Sequence, residues 1–251
     1  MKIKELKLSA TTCYLVETGN KYVLIDTGYE SDWALFSRRL KEAGVSLSDI
    51  SHLVLTHHHD DHCGLLNNVS QANRAIRIVM SYRAPGFLAT GANDRTHGAG
   101  YVTGGVKRLI SLMQRMDKEF DRTWRTHPFP PYACRETDVL IEGEKNLAEV
   151  GIGLSGRIIE TPGHTTDSIS VLLEDGDCFV GDAAANFLQF AGTKYCVVLV
   201  EDIEEYYKSW GKLISAGARR ILPAHGKPFP VEKLSRNMGA IKSSDIVGHP
   251  I

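Results

Sequence analysis

Residues 52–64 read HLVLTHHHDDHCG: an apolar run, Leu53 to Leu55, leads into four histidines and two aspartates packed into six consecutive positions, His57 to His62. Such crowding serves no packing purpose, and its groups conflict electrostatically unless a cation or a proton network shares them. The run is internal and mixed with aspartate, so it is not an affinity tag. Metal binding is the reading that accounts for it. Alternate residues of an extended turn face opposite sides, so His57, His59 and Asp61 are expected on one side and His58 and Asp60 on the other.

Working outward, the segment opens where a buried strand ends, and the rest of the chain alternates strands with helices. Residues 2–8, 13–17 and 21–26 predict a meander of short strands, with turns at TT and GN. Residues 32–44 space Trp33, Leu35, Phe36 and Leu40 as a helix that stops on Gly44. Strands are predicted at 51–55, 76–80, 138–141, 157–161, 168–173, 177–181 and 219–222, and a helix at 203–216. Residues 82–103 are Gly-rich and loop-like, and 106–120 form an amphipathic helix. The stretch from about 83 to 134 is thus expected to be a lid-like insertion. Its Met113, Trp124 and Phe129 would wall an apolar pocket.

No composition break divides the 251 residues, so one domain spanning 1–251 is expected. With 43% hydrophobic residues the chain can bury a substantial core. Lys plus Arg is 29 against Asp plus Glu 30, so no global basic field exists to hold nucleic acid or an anionic membrane. No membrane span or signal-like segment is read, and the five scattered cysteines suit a reducing cytoplasm. The expected partner is a small-molecule substrate, and a homodimer stays open.

Three later strand ends deliver more ligand-type side chains: His164 in TPGHT, Asp182 in GDA and His225 in PAHG. With His57, His59, Asp61 and His62 they make seven candidates. That exceeds what one tetrahedral ion uses and suits two ions if one carboxylate bridges them. Imidazole and carboxylate together suit zinc, with iron and manganese as alternatives.

The series Asp26 in LIDTG, His57-x-His59-x-Asp61-His62, His164, Asp182 and His225, in this order, resembles the metallo-β-lactamase superfamily. The resemblance implies an α/β fold of the α+β type, a four-layer αββα sandwich with two divalent metal ions at one edge between the sheets. It implies that His57, His59 and His164 hold the first ion, that Asp61, His62 and His225 hold the second, and that Asp182 bridges. Asp26 would support the cluster by fixing a ligand histidine. A hydroxide bridging the ions would attack the substrate, with Asp61 or Asp182 taking or passing a proton.

Departures within the superfamily narrow this reading. The zinc β-lactamases with a cysteine ligand lack the bridging aspartate, and flavodiiron reductases carry glutamate where His59 stands. The tRNA-processing members act on a polyanion that this near-neutral chain is poorly suited to grip. The chain is most similar in pattern to lactonases and glyoxalase II-like thioesterases, which implies hydrolysis of a lactone, ester or thioester. The alternatives are a mononuclear iron persulfide dioxygenase and a phosphodiesterase of the same superfamily. Tyr101, Tyr132 and Tyr195 are candidate phenols near the metals, and Cys63 neighbours His62.

Overall fold

The computed structural model describes residues 2–93, 99–116 and 128–248. Two six-stranded sheets carry the architecture. The first runs β1 (Ile3–Lys7), β2 (Thr12–Thr18), β3 (Lys21–Ile25), β4 (Ile50–Val54), β5 (Arg77–Ser81) and β7 (Val139–Ile141), antiparallel across β1 to β3 and parallel from β3 to β7. The second runs β14 (Phe229–Pro230), β13 (Arg220–Pro223), β11 (Asp177–Gly181), β10 (Ile169–Leu173), β9 (Gly156–Glu160) and β8 (Lys145–Asn146), with one parallel pair, β11 and β13. A small sheet joins β12 (Leu199–Val200), β6 (Gly100–Tyr101) and β15 (Val247–Gly248).

Successive strand residues point to opposite faces, so a strand apolar at every position must be covered on both sides. In β2, Tyr14 and Val16 join Ile158, Ile169, Val171 and Phe179 in the core between the sheets. Their neighbours Cys13 and Leu15 face outward, under α1 (Trp33–Glu42), α3 (Leu66–Ala72) and α4 (Ala84–Thr90), whose Phe36, Leu40, Leu66, Val69 and Leu88 complete that layer. On the second sheet Ile159, Leu172 and Val180 face outward to α5 (Gly104–Met116), α6 (Ile203–Ser215) and α7 (Glu232–Asn237), through Val106, Ile110, Tyr206, Trp210 and Leu234. Helix, sheet, sheet and helix therefore stack as the four-layer αββα sandwich that the resemblance implied. Among the described residues no helix is long and apolar enough to cross a membrane.

The structure corrects several local expectations. The first reversal falls at Ser9 and Ala10, closed by the Leu8 N–H donating to the Thr11 carbonyl at 2.9 Å, and Thr12 of the TT pair already belongs to β2. The segment expected as loop at 82–103 contains α4 and β6; Pro85 sits in the first turn of α4, where its missing N–H costs nothing. Helix α5 begins earlier than its apolar spacing suggests, because the Thr103 hydroxyl accepts from the Val106 N–H at 3.2 Å and caps it. Residues 117–120 of the expected helix, and Trp124, lie outside the described residues. Phe129 does not join α5 in a pocket wall: it is buried with the first sheet's outer core, whereas Val106 and Ile110 of α5 are buried with the second's, and Met113 is exposed.

Candidate metal centre

Five strand ends converge at one edge of the sandwich. β3 delivers Asp26, β4 leads into Thr56 through His62, β9 and β10 flank His164, β11 ends before Asp182, and β13 ends before His225. The helix α2 (Asp60–Cys63) turns the histidine segment back on itself. Helix α6 pins two of these ends at once. The Tyr206 hydroxyl donates to the Asp182 carbonyl (2.8 Å), the Trp210 indole N–H to the Ala183 carbonyl (2.6 Å), and the Ser209 hydroxyl to the Pro162 carbonyl (2.7 Å). Gly163 fits only because it lacks a side chain: at φ 131°, a Cβ there would lie 2.4 Å from the Tyr206 backbone.

The seven side chains lie together. His57, His59 and His164 form one group, His57, His62 and Asp182 a second, and Asp61, His62 and His225 a third, with facing ligand-type atoms within 4.8 Å of one another in each. Their orientations are set from behind. His57 Nδ1 is engaged by the Thr56 hydroxyl (3.1 Å), and His62 Nδ1 by Asp26 Oδ2 (2.9 Å). His164 Nδ1 donates to the Leu199 carbonyl (2.8 Å) and His225 Nδ1 to the Ala10 carbonyl (3.1 Å). All four therefore turn Nε2 inward, as a ligating imidazole requires. His59 instead brings Nδ1 to within 2.9 Å of His164 Nε2.

Asp182 sits between the groups. Its Oδ2 lies 3.4 Å from His164 Nε2, while its Oδ1 lies 3.5 Å from His62 Nε2 and 3.3 Å from His225 Nε2. Asp61 Oδ2 is 3.1 Å from His225 Nε2 and accepts from the Thr11 hydroxyl at 3.0 Å. His57 Nε2, His62 Nε2 and Asp182 Oδ1 are buried without a hydrogen-bond partner among the described residues. Buried polar atoms are rarely left so, and three facing one another fit a divalent cation. The cluster opens to solvent on the side of His225, whose side chain is 20% exposed.

The electrostatics split the histidines. Burial, reinforced by the neighbouring imidazoles, holds His57 and His59 well below their ordinary value. Burial also lowers His164, against the pull of Asp182. Burial opposes the charge on His62 too, but Asp61, Asp26 and Asp182 outweigh it and raise that imidazole well above its ordinary value. The same contest raises His225 to about 9, through Asp182 and Asp61. For Asp61 and Asp182 burial is likewise overcome, by His62 and His225, and both carboxyls fall below the usual range.

A pH signature follows. Without metal, the raised His225 contributes stability that is complete below its unfolded value of 6.5 and is lost as pH rises through about 9. An ion held by His225 would need that imidazole deprotonated, so its apparent affinity would climb over the same interval. Melting temperatures measured by scanning fluorimetry should therefore fall from pH 6.5 to 9 with chelator present, and the gain on adding zinc should grow. A chelated protein whose melting temperature is flat across that window would contradict the assignment.

Other sequence candidates resolve differently. His58 and Asp60 turn away from the cluster, His58 to Asp167 and Asp60 to Asn93. Cys63 donates to the His58 carbonyl at 3.0 Å. Tyr132 donates to Asp138, the Tyr195 ring packs on Phe229, and Tyr101 is buried in the second sheet's outer core, so packing accounts for all three. Besides Tyr206, which already holds the Asp182 carbonyl, Tyr29 is a phenol that feels the site: burial raises it, and Asp61, Asp60 and Asp182 raise it further. Its own stretch of sequence carries no sign of this. Thr56, which reaches Asp26 and His57 through one hydroxyl, has a weak signal as the last residue before the histidine run.

The fold and cluster have counterparts among known proteins. The family model for the metallo-beta-lactamase superfamily matches residues 6–225. A beta-lactamase-like protein 2 homolog of Drosophila melanogaster is 26% identical over 231 residues, covering 91% of this chain and 63% of its own length. An atrochrysone carboxyl ACP thioesterase of Aspergillus fumigatus is 26% identical over 224 residues, covering 88% of this chain and 52% of its own. The chain thus spans between half and two-thirds of the length of these curated relatives. An archaeal metallo-beta-lactamase superfamily protein from Sulfolobus tokodaii superposes with a TM-score of 0.60 at 21% identity, over 95% of this chain and 85% of that one. A metallo-beta-lactamase family protein from Thermus thermophilus reaches 0.64 at 18% identity, over 95% and 78%. At such identities these two speak to the fold alone, and it is the family match over residues 6–225, set beside the αββα layers, that decides the matter: the chain belongs to the metallo-beta-lactamase superfamily.

Proposed function

We propose that the chain is a metal-dependent hydrolase that holds two divalent ions, zinc foremost, and cleaves an acyl bond of the lactone, ester or thioester type. The observation that carries the two-ion reading is Asp182, which turns one oxygen toward His164 and the other toward His62 and His225. In this reading His57, His59 and His164 hold one ion, Asp61, His62 and His225 the other, and Asp182 both. Divalent ions held there would supply Lewis acidity, which lowers the pKa of a water toward neutrality and polarises a substrate oxygen. Asp61 and Asp182, whose carboxyls lie below the usual range in the ion-free cluster, would be the carboxylates that take the proton of an attacking water. Thr11 orients Asp61, and Asp26 orients His62. Support for acyl chemistry comes from the relative named as an atrochrysone carboxyl ACP thioesterase.

The test is metal content by plasma mass spectrometry on protein purified without chelator or His-tag, followed by turnover of lactones, thioesters and phosphodiesters. Close to two ions per chain is expected, with acyl turnover that chelator abolishes. A single iron per chain with oxygen uptake on a persulfide would overturn the reading, as would turnover confined to phosphodiesters.

A further inference from the structure

The histidine at the centre of the HHH run takes no part in the cluster described above, yet it is as deeply buried as the residues that do. His58 is 1% exposed, and its partner Asp167 is 0% exposed at the carboxylate. Asp167 Oδ1 lies 2.8 Å from His58 Nδ1, and Asp167 Oδ2 has no hydrogen-bond partner among the described residues. Burying a carboxylate on so few contacts costs stability unless the pair does something that apolar residues at both positions would not.

The location of the pair shows what that is. His58 stands between His57 and His59 on the loop that follows β4 of the first sheet. Asp167 stands three residues after His164 on the loop between β9 and β10 of the second. The three-histidine group draws two members from the first loop and one from the second, so its geometry depends on how the two loops sit across the sandwich. The Ile169 N–H donating to the Thr56 carbonyl at 2.8 Å ties them at their base. The His58 and Asp167 side chains tie them beside the ligands. The His58 ring is also wedged, stacked on Phe87 of α4 at 4.3 Å and edge-on to His59 at 4.8 Å, so its position limits where His59 can go.

We infer that Asp167 and His58 are a positioning pair that locks the two ligand loops in register and so sets the affinity of the His57, His59 and His164 group for its ion, leaving the Asp61, His62 and His225 group to Asp26. The inference rests on the two-ion reading and adds to it a division of labour. Each group has its own buried carboxylate, and the one serving the first acts through a histidine that is not itself a ligand.

The experiment loads chelator-stripped protein with zinc and with cobalt, and measures ions per chain, stepwise affinity by chelator competition, and the cobalt absorption spectrum. In Asp167→Ala one of the two ions should weaken by about 10- to 100-fold, the range seen when a partner behind a ligand is lost, and it should be the ion whose affinity and cobalt bands Asp26→Asn leaves unchanged. Weakening of the ion that Asp26→Asn also weakens would overturn the inference. Asp167→Asn, whose amide oxygen can still accept from His58 Nδ1–H, should recover most of the loss. If Asp167→Ala does not fold, the double variant His58→Phe with Asp167→Ala leaves no buried charge unpaired, keeps the stack on Phe87, and should show the same selective weakening. Two ions at wild-type affinity in either folded variant would overturn the inference, as would equal weakening of both. Wild-type protein that takes up fewer than two ions would overturn the two-ion reading and this inference together, which separates that failure from a variant that merely binds normally.

Discussion

Asp182→Ala is expected to lower turnover on any acyl substrate by about 10³-fold or more, equivalent to about 4 kcal/mol of transition-state stabilisation. Among the described residues no other side chain faces His164 with one oxygen and His62 and His225 with the other. In the proposed centre its loss removes a ligand from both ions at once and the charge that offsets their mutual repulsion. Ions per chain should fall from two toward one. The fold should survive, because Tyr206 and Trp210 hold the backbone at 182 and 183 through carbonyl oxygens that the substitution does not touch. Asp182 is also the largest charge influence raising His225, so in metal-free protein the titration near 9 should move down toward the ordinary value. Histidine proton shifts by NMR would follow it. Two ions per chain and turnover within tenfold of wild type would remove Asp182 from the centre and with it the two-ion proposal.

The converging positions are legible in the sequence because each is a ligand-type residue at a strand end, whereas the four-layer stacking comes from the family resemblance and not from the residue pattern. A His or Asp just beyond an apolar strand announces a ligand-rich edge. What stays illegible depends on contacts between distant residues. Helix α3 reads LNNVSQA and buries only Leu66 and Val69, and α4 reads APGFLAT, whose Pro and Gly argue for loop. Both are helical because the first sheet's outer core receives Leu66, Val69, Ala84 and Leu88. Asp167 lies 109 residues from His58, and nothing in TTDS announces their pairing. Tyr29 is set among the site's aspartates only by the close packing of residues 28–30 on Gly64, where a Cβ would lie 2.5 Å from the Glu30 nitrogen.

Asp26 offers the second large effect, and its variants separate three roles. The residue has a left-handed backbone, φ 59°, and is 2% exposed. Its carboxylate accepts from the Thr56 N–H (2.8 Å), the Thr56 hydroxyl (2.8 Å) and His62 Nδ1 (2.9 Å). Asp26→Ala strips all three and leaves His62 without its partner, a loss of about 3 to 5 kcal/mol by analogy with broken buried pairs. Asp26→Gly loses the same bonds but relieves the left-handed strain, and should be more stable than the alanine variant by about 1 kcal/mol. Asp26→Asn is the discriminating case. Asparagine tolerates the left-handed backbone, and its amide oxygen can still accept from the Thr56 N–H. The amide NH2 then takes the place of Oδ2 and donates toward His62 Nδ1. That nitrogen must now offer a lone pair, so the His62 proton moves to Nε2, the atom that faces Asp61 and Asp182. A protonated Nε2 cannot ligate. Asp26→Asn should therefore stay folded, with a melting temperature well above that of Asp26→Ala. It should nevertheless lose about 10- to 100-fold in affinity for the ion of the Asp61, His62 and His225 group. Urea denaturation of metal-free protein and zinc competition measure the two effects separately. An Asp26→Asn variant that binds both ions as the wild type does would mean that Asp26 holds the backbone of the β4 end and leaves His62 to orient itself.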